Sequence, residues 1–181
     1  MTEPQSLIAR LGSVMQIAFV PKDFDAALRH WTGTMGVGPF FLMEHVGLLN
    51  TKHDGRPVEI DFSIAISYWG DLQVELVRQH NDAPSIYKTW RDEGRDGLHH
   101  VCVVVDDIAR ARTVCAAAGA RVAQEAQVAG GGEVIYVDTG GGPGSLVEII
   151  QLPQSTLDGF NWMREQCRQW DGSFDPVRKL G

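Results

Sequence analysis

Gln16-Ile17-Ala18-Phe19-Val20, running on to Asp23, and His100-Val101-Cys102-Val103-Val104-Val105, running on to Asp107, are two versions of one signal. Each is a short apolar run of strand composition, and each leads to an acidic residue that heads an amphipathic stretch. Gln16 to His100 spans 84 residues, and Asp23 to Asp107 spans 84 as well. Self-similarity at a fixed offset outweighs any single propensity, so an internal duplication organises the reading of everything else.

Working outward, Phe24, Ala27, Leu28 and Trp31 follow the i, i+3, i+4, i+7 spacing of a helix behind Asp23, whose carboxylate suits an N-cap. Ile108, Ala111, Cys115 and Ala118 make a similar stripe behind Asp107, with Gly119 as its stop. Strand-like runs follow each helix: Phe40 to Val46, Pro57 to Tyr68 and Leu72 to Arg78 in the first copy, Arg121 to Gln124, Glu133 to Asp138 and Ser145 to Leu152 in the second. Each copy thus reads strand, helix, strand, strand, strand. Module one covers about 14–80 and module two about 97–153, with a connecting helix over about 83–93 headed by Pro84 and an extension over 154–181.

The chain has 181 residues, 44% hydrophobic and 22% charged, the balance of a globular protein, and reads as a single domain over 1–181. Its net charge of −7 leaves no basic surplus to draw it to phosphate backbones or anionic lipid, so neither nucleic acid nor membrane is an expected partner. Apolar stretches break well short of the roughly 20 residues needed to cross a bilayer, and Arg10 and Gln16 interrupt the one signal-peptide-like core; a cytoplasmic protein is expected. Cys102, Cys115 and Cys167 are too few and too scattered for a disulfide framework or a zinc knuckle, and read as reduced thiols.

Four polar residues hold matching places: Gln16 and His100 in the first strands, Glu75 and Glu148 in the last. The last strands have nearly the same text, Leu72-Gln73-Val74-Glu75-Leu76-Val77 and Ser145-Leu146-Val147-Glu148-Ile149-Ile150. Strand alternation sets each Glu on the face opposite its apolar neighbours. On a solvent face they are unremarkable; lining a cavity, each is a buried carboxylate that needs a cation. The duplication favours the cavity, because paired modules bring an amide oxygen, an imidazole nitrogen and two carboxylates round one point, a legitimate donor set for a divalent ion.

With Gly97-Leu98-His99-His100-Val101, Val105-Asp106-Asp107-Ile108, Leu146-Val147-Glu148-Ile149-Ile150-Gln151-Leu152-Pro153 and Gln73-Val74-Glu75-Leu76 in view, the sequence over roughly 14–153 resembles the vicinal oxygen chelate superfamily, nearest its methylmalonyl-CoA epimerase-like members. The resemblance implies an α+β fold in which two tandem βαβββ modules form an open, barrel-like mixed sheet around a metal, with the C-terminal helix added. It implies Gln16, Glu75, His100 and Glu148 as ligands of one divalent ion (Zn, Co, Ni, Mn or Fe), with His99 pointing to the other face. It also aligns Pro57-Val58-Glu59-Ile60 with the strand that bears a catalytic Glu in the epimerases, making Glu59 and Glu148 the proton-transfer pair on either face of an enolised carbonyl or acyl-thioester substrate.

An epimerase or isomerase is therefore the leading expectation. The epimerase pattern begins with His and has Gln second; the set Gln16, Glu75, His100, Glu148 looks instead like that of eukaryotic-type glyoxalase I, so a glyoxalase I-type lyase is the alternative. A non-catalytic small-molecule binding or resistance protein is a third. Ring-cleaving dioxygenation fits less well, since it uses two His and one carboxylate. No cluster of Lys and Arg marks a site for the phosphates of a CoA.

His30, His45, His53 and His80 have no partners at ligand spacing and read as surface or structural residues, and the runs Gly130–Gly132 and Gly140–Gly144 as turns. Phe160, Met163, Cys167 and Trp170 describe an amphipathic helix, expected to dock on its own domain, the alternatives being a lid or the contact of an expected homodimer.

Overall fold

The computed structural model describes residues 7–180; residues 1–6 and 181, the two ends of the expected domain, lie outside the described residues. After a 3₁₀ turn at Ile8–Arg10, the first copy contributes β1 (Val14–Phe19), α1 (Phe24–Arg29) with a π-helical turn at His30–Thr34, β2 (Phe40–Met43), β5 (Phe62–Trp69) and β6 (Leu72–Gln79). Between β2 and β5 it carries an extra hairpin, β3 (Leu48–His53) and β4 (Arg56–Pro57). The linker holds α2 (Ile86–Asp92), and the second copy follows as β7 (Leu98–Val104), α3 (Ile108–Ala117), β8 (Arg121–Val128), β9 (Glu133–Asp138) and β10 (Leu146–Gln151). The chain ends with α4 (Gln154–Gln169) and β11 (Val177–Leu180).

The two acidic caps behave as their chemistry dictates: Asp23 accepts the Ala26 N–H at 2.8 Å and Asp107 the Arg110 N–H at 2.9 Å, each satisfying an orphan donor of its helix. In α2 the cap is Ser85, which accepts the Lys88 N–H, so Pro84 stands one residue before the cap and not in the first turn.

The eleven strands among the described residues form one open sheet in the order β11-β2-β5-β6-β1-β7-β10-β9-β8-β3-β4. The first copy supplies β2-β5-β6-β1 and the second the mirrored β7-β10-β9-β8, joined along the antiparallel pair β1 and β7. The register makes the duplication explicit. Gln16 lies opposite Cys102 and Ala18 opposite His100, so residues 84 apart exchange places across the seam. Ala18 pairs in turn with Glu75 on β6, and Cys102 with Glu148 on β10. A pseudo-two-fold axis between β1 and β7 therefore brings all four candidate ligands to the middle of the sheet.

One expectation fails at this seam. Ala18 faces His100 and Phe19 faces Leu98, so β7 holds His99 as an extra residue. A bulge of this kind breaks the two-residue alternation. His99 accordingly turns its ring towards Tyr87 and Trp90 of α2, beside His100.

The run from Pro57 to Tyr68 is likewise not one strand. Asp54 and Gly55 both adopt left-handed backbone, φ 47° and 74°, which makes the tight hairpin between β3 and β4, and residues 58–61 are irregular. β3 then pairs with β8 of the other copy.

The extension docks on its own chain. Phe160, Met163 and Cys167 of α4 pack with Phe41, Ile66 and Tyr68, and the ring of Trp162 lies 5.1 Å from that of Phe41. Trp170 then covers Gly38, where a Cβ would come within 2.6 Å of its ring, and β11 adds in parallel to β2. The cysteines are free; Cys102 and Cys115 are buried and Cys167 partly so. No described helix is long and apolar enough to cross a membrane.

Candidate metal centre

Gln16, Glu75, His100 and Glu148 come from β1, β6, β7 and β10 and are all buried, His100 completely. His100 Nε2 is 3.1 Å from Glu148 Oε2 and 3.7 Å from Glu75 Oε2, and one ligand atom of each of the three residues lies within 4.8 Å of the others. Gln16 Nε2 donates to Gln73 Oε1 at 2.8 Å, and Gln73 Nε2 to the Tyr68 hydroxyl at 2.7 Å. That relay spends the amide nitrogen of Gln16 on protein and leaves its Oε1 as the end suited to a cation. The Tyr136 hydroxyl donates to Glu148 Oε1 at 3.3 Å.

His99, displaced by the bulge, sets the state of His100. His99 Nε2 lies 3.3 Å from the Ile86 carbonyl, which only accepts, so this nitrogen carries the proton. Burial, then the neighbouring His100, lowers the His99 pKa to about 3, so the ring is neutral and its Nδ1 is bare. His100 Nδ1, 2.9 Å away, must then be the donor, which makes His100 Nε2 the nitrogen aimed at Glu148 and Glu75 and the one left to a metal. Sequence reasoning gave His99 no role; the adjacent His-His pair was its signal.

Two carboxylates buried side by side repel each other, and a cation held between them relieves that cost. Burial, and next the charge of Glu148, push the Glu75 carboxyl well above the usual carboxylate range, against a hydrogen bond from Gln16. Burial similarly pushes the Tyr87 and Tyr136 phenols and the Cys102 thiol up, so none of them adds charge. The centre opens on a cavity of about 190 Å³, and no Lys or Arg is among its lining residues. Its walls are mainly apolar, with Met43, Val46, Leu48, Phe62 and Phe160 of α4 among the lining residues. Oxygen and nitrogen donors, two carboxylates and a missing positive charge together fit a divalent ion.

Glu59 is not brought to this centre. It sits exposed in the irregular segment between β4 and β5, lines grooves outside the cavity, and contributes only its backbone carbonyl, which accepts from Asn81 Nδ2 at 2.9 Å. The hairpin turn carries Pro57 to the far edge of the sheet beside β3, so the strand that would have aimed Glu59 inward does not form.

The arrangement can be set beside known proteins. Residues 15–137 match the family model described as the Glyoxalase/Bleomycin resistance protein/Dioxygenase superfamily. No curated protein sequence matches the chain. A hypothetical protein from Bacillus halodurans C-125 superposes with a TM-score of 0.55 at 16% identity, over 78% of this chain and 94% of that one. A methylmalonyl-CoA epimerase variant from Streptomyces coelicolor, solved with 2-nitronate-propionyl-CoA, gives 0.55 at 17%, over 78% and 97%. The epimerase from Mycobacterium tuberculosis gives 0.53 at 14%, over 80% and 91%. At such identities the likeness is one of fold. The family match, the mirrored βαβββ modules and the paired register across β1 and β7 agree: this chain belongs to the glyoxalase/bleomycin resistance protein/dioxygenase superfamily, with the vicinal oxygen chelate fold.

Proposed function

We propose that the protein is a divalent-metal-dependent isomerase that moves a proton at the carbon next to the carbonyl of a small carbonyl or acyl-thioester substrate. The observation that carries this reading is His100 Nε2 held against Glu75 and Glu148, two carboxylates that line an apolar cavity. Gln16 Oε1, Glu75, His100 Nε2 and Glu148 would hold the ion. When bound, it supplies Lewis acidity at the substrate carbonyl and so acidifies the neighbouring C–H.

The rest is the work of the chain. Glu148 lines the cavity and takes the proton, with Tyr136 donating to its other oxygen. Glu75 reaches the same space from the symmetry-related strand, so the two carboxylates flank the centre from opposite copies. With Glu59 outside, Glu75 is the second base that inversion at carbon requires. Phe160, Val46 and Phe62 line the site with apolar surface, which strengthens the pull of the carboxylates on the proton they move. The acyl-CoA bound by the Streptomyces coelicolor epimerase supports a thioester, whose acyl end suits the apolar cavity. A glyoxalase-type lyase acting on a thiol adduct of a ketoaldehyde is the second reading; the exposed position of Glu59 favours it, because that chemistry runs with one base.

The test is proton washout. Protein loaded with Zn²⁺, Co²⁺, Ni²⁺, Mn²⁺ or Fe²⁺ is incubated in D₂O with 2-substituted acyl-CoA thioesters, and separately with methylglyoxal and glutathione. Deuterium gain at the α carbon supports the isomerase and lactoylglutathione formation the lyase, each lost in His100→Ala. Neither product from metal-loaded wild type overturns the proposal.

A further inference from the structure

His45, Asp61 and His80 are far apart in sequence and meet at one corner of the surface, where β2 ends, β5 begins and β6 ends. From sequence alone the two histidines have no partners at ligand spacing. One ligand atom of each lies within 4.8 Å of the others; His45 Nδ1 is 2.7 Å from Asp61 Oδ1, and the two imidazole rings are 4.9 Å apart. Ser63, fully buried beneath them, ties the group together. Its hydroxyl is 2.7 Å from His80 Nε2 and accepts the His45 backbone N–H at 3.2 Å, so His80 Nδ1 stays free to bind. The His80 N–H donates to the Asp61 carbonyl at 2.7 Å and the Asp61 N–H to Asn81 Oδ1 at 3.3 Å. His45 holds a left-handed φ of 52°, which a residue with a Cβ adopts only at a cost.

A surface ion pair between His45 and Asp61 does not account for this. Such a pair is worth at most about 1 kcal/mol and leaves His80, with its serine support, unexplained. Two imidazoles and a carboxylate brought together, with His80 held through Nε2 by Ser63 so that Nδ1 is spared, are the donors of a transition-metal site.

We propose that His45, Asp61 and His80 form a second divalent-metal site, separate from the buried centre, for a borderline ion such as Zn²⁺, Ni²⁺ or Co²⁺. Its role follows from its place. His45 and Asp61 bracket residues 46–60, the segment that carries the β3 and β4 hairpin across to β8, and Val46 and Leu48 of that segment line the cavity. An ion there staples the base of the insertion and fixes one wall of the cavity.

Metal-stripped full-length protein is dialysed against Zn²⁺ in a weakly chelating buffer, and bound zinc is counted by elemental analysis. Wild type binds two ions per chain, His100→Ala one, and the double substitution His45→Ala with His80→Ala one. Asp61→Asn, which keeps size and shape, weakens the same ion at least tenfold. Hydrogen exchange over 46–60 slows with Zn²⁺ in His100→Ala and not in the double variant. A double variant that keeps every ion wild type binds overturns the second site and leaves the buried one standing. One ion in wild type, kept in His100→Ala and lost in the double variant, supports the second site and sinks the buried one.

Discussion

Replacing Glu75 by Gln has opposite effects on the two states of the protein, and both follow from the geometry of the centre. Oxygens of Glu75 and Glu148 come within 4.8 Å of each other in a buried site. Two unit charges at that separation repel by about 3.5 kcal/mol at an effective dielectric of about 20. Without metal, the fold escapes part of this by keeping a proton on Glu75, whose pKa burial and Glu148 raise well above the carboxylate range. A carboxyl raised on folding contributes full stability below its unfolded pKa and loses that stability as pH rises through the folded one. In chelator at pH 8, Glu75→Gln should therefore be more stable than wild type by roughly 1–3 kcal/mol, or about 3–8 °C in Tm for a chain of this size. Near pH 4 the advantage should vanish. Saturating Zn²⁺ reverses the order: ligand at 100 times its Kd adds about 2.7 kcal/mol to wild type, and the variant, short of one ligand, gains far less. Calorimetry at pH 4 and 8, in chelator and in Zn²⁺, reads all four corners. A variant that melts below wild type in chelator at pH 8, or gains as much from Zn²⁺, refutes the reasoning.

Substituting His99→Leu removes the acceptor that holds the proton on His100 Nδ1. The buried ion should weaken 10–100-fold by competition with a chromophoric chelator while far-UV circular dichroism is unchanged, and an unaltered Kd would deny His99 that role. Met163 is the buried anchor of α4, so Met163→Ala should cost about 2–5 kcal/mol in chemical denaturation, and a loss under 1 kcal/mol would mean the extension is not part of the cooperative fold. Gly38→Ala drives a methyl into the Trp170 ring and should speed proteolysis between α4 and β11; an unchanged cleavage rate counts against that contact.

The duplication was legible because it is written twice: an 84-residue offset survives any local irregularity, and it carried Gln16, Glu75, His100 and Glu148 to one place. The residues whose places the sequence does not show each depend on their own local backbone event or strand pairing. His99 obeys strict alternation on paper, and one extra residue in β7 turns it inward. Pro57-Val58-Glu59-Ile60 has the composition of a strand, yet the left-handed pair at Asp54 and Gly55 sends it to the sheet edge and leaves Glu59 in solvent. His45, Asp61 and His80 lie 16 and 19 residues apart along the chain and share no periodicity. The pairing of β5 with β6, which sets Phe62 opposite Gln79, brings Asp61 to His80, and the pairing of β2 with β5, which sets Met43 opposite Ile64, brings His45 to both.

The crossing of β3 onto β8 has a consequence for how the molecule folds and stays soluble. Each copy has its outer strand sheltered by chain from elsewhere: β8 by the insertion of the first copy, β2 by the final residues. Leu48 pairs with Val128, eighty positions on, a contact of high sequence separation, so neither half is finished without the other. What remains at the two rims is a pair of short strands, one ending in Pro57 and one carrying Arg178 and Lys179, poor templates for another chain to extend. A duplicated sheet with two bare edges would template growth from molecule to molecule; this one is stopped at both ends by its own sequence.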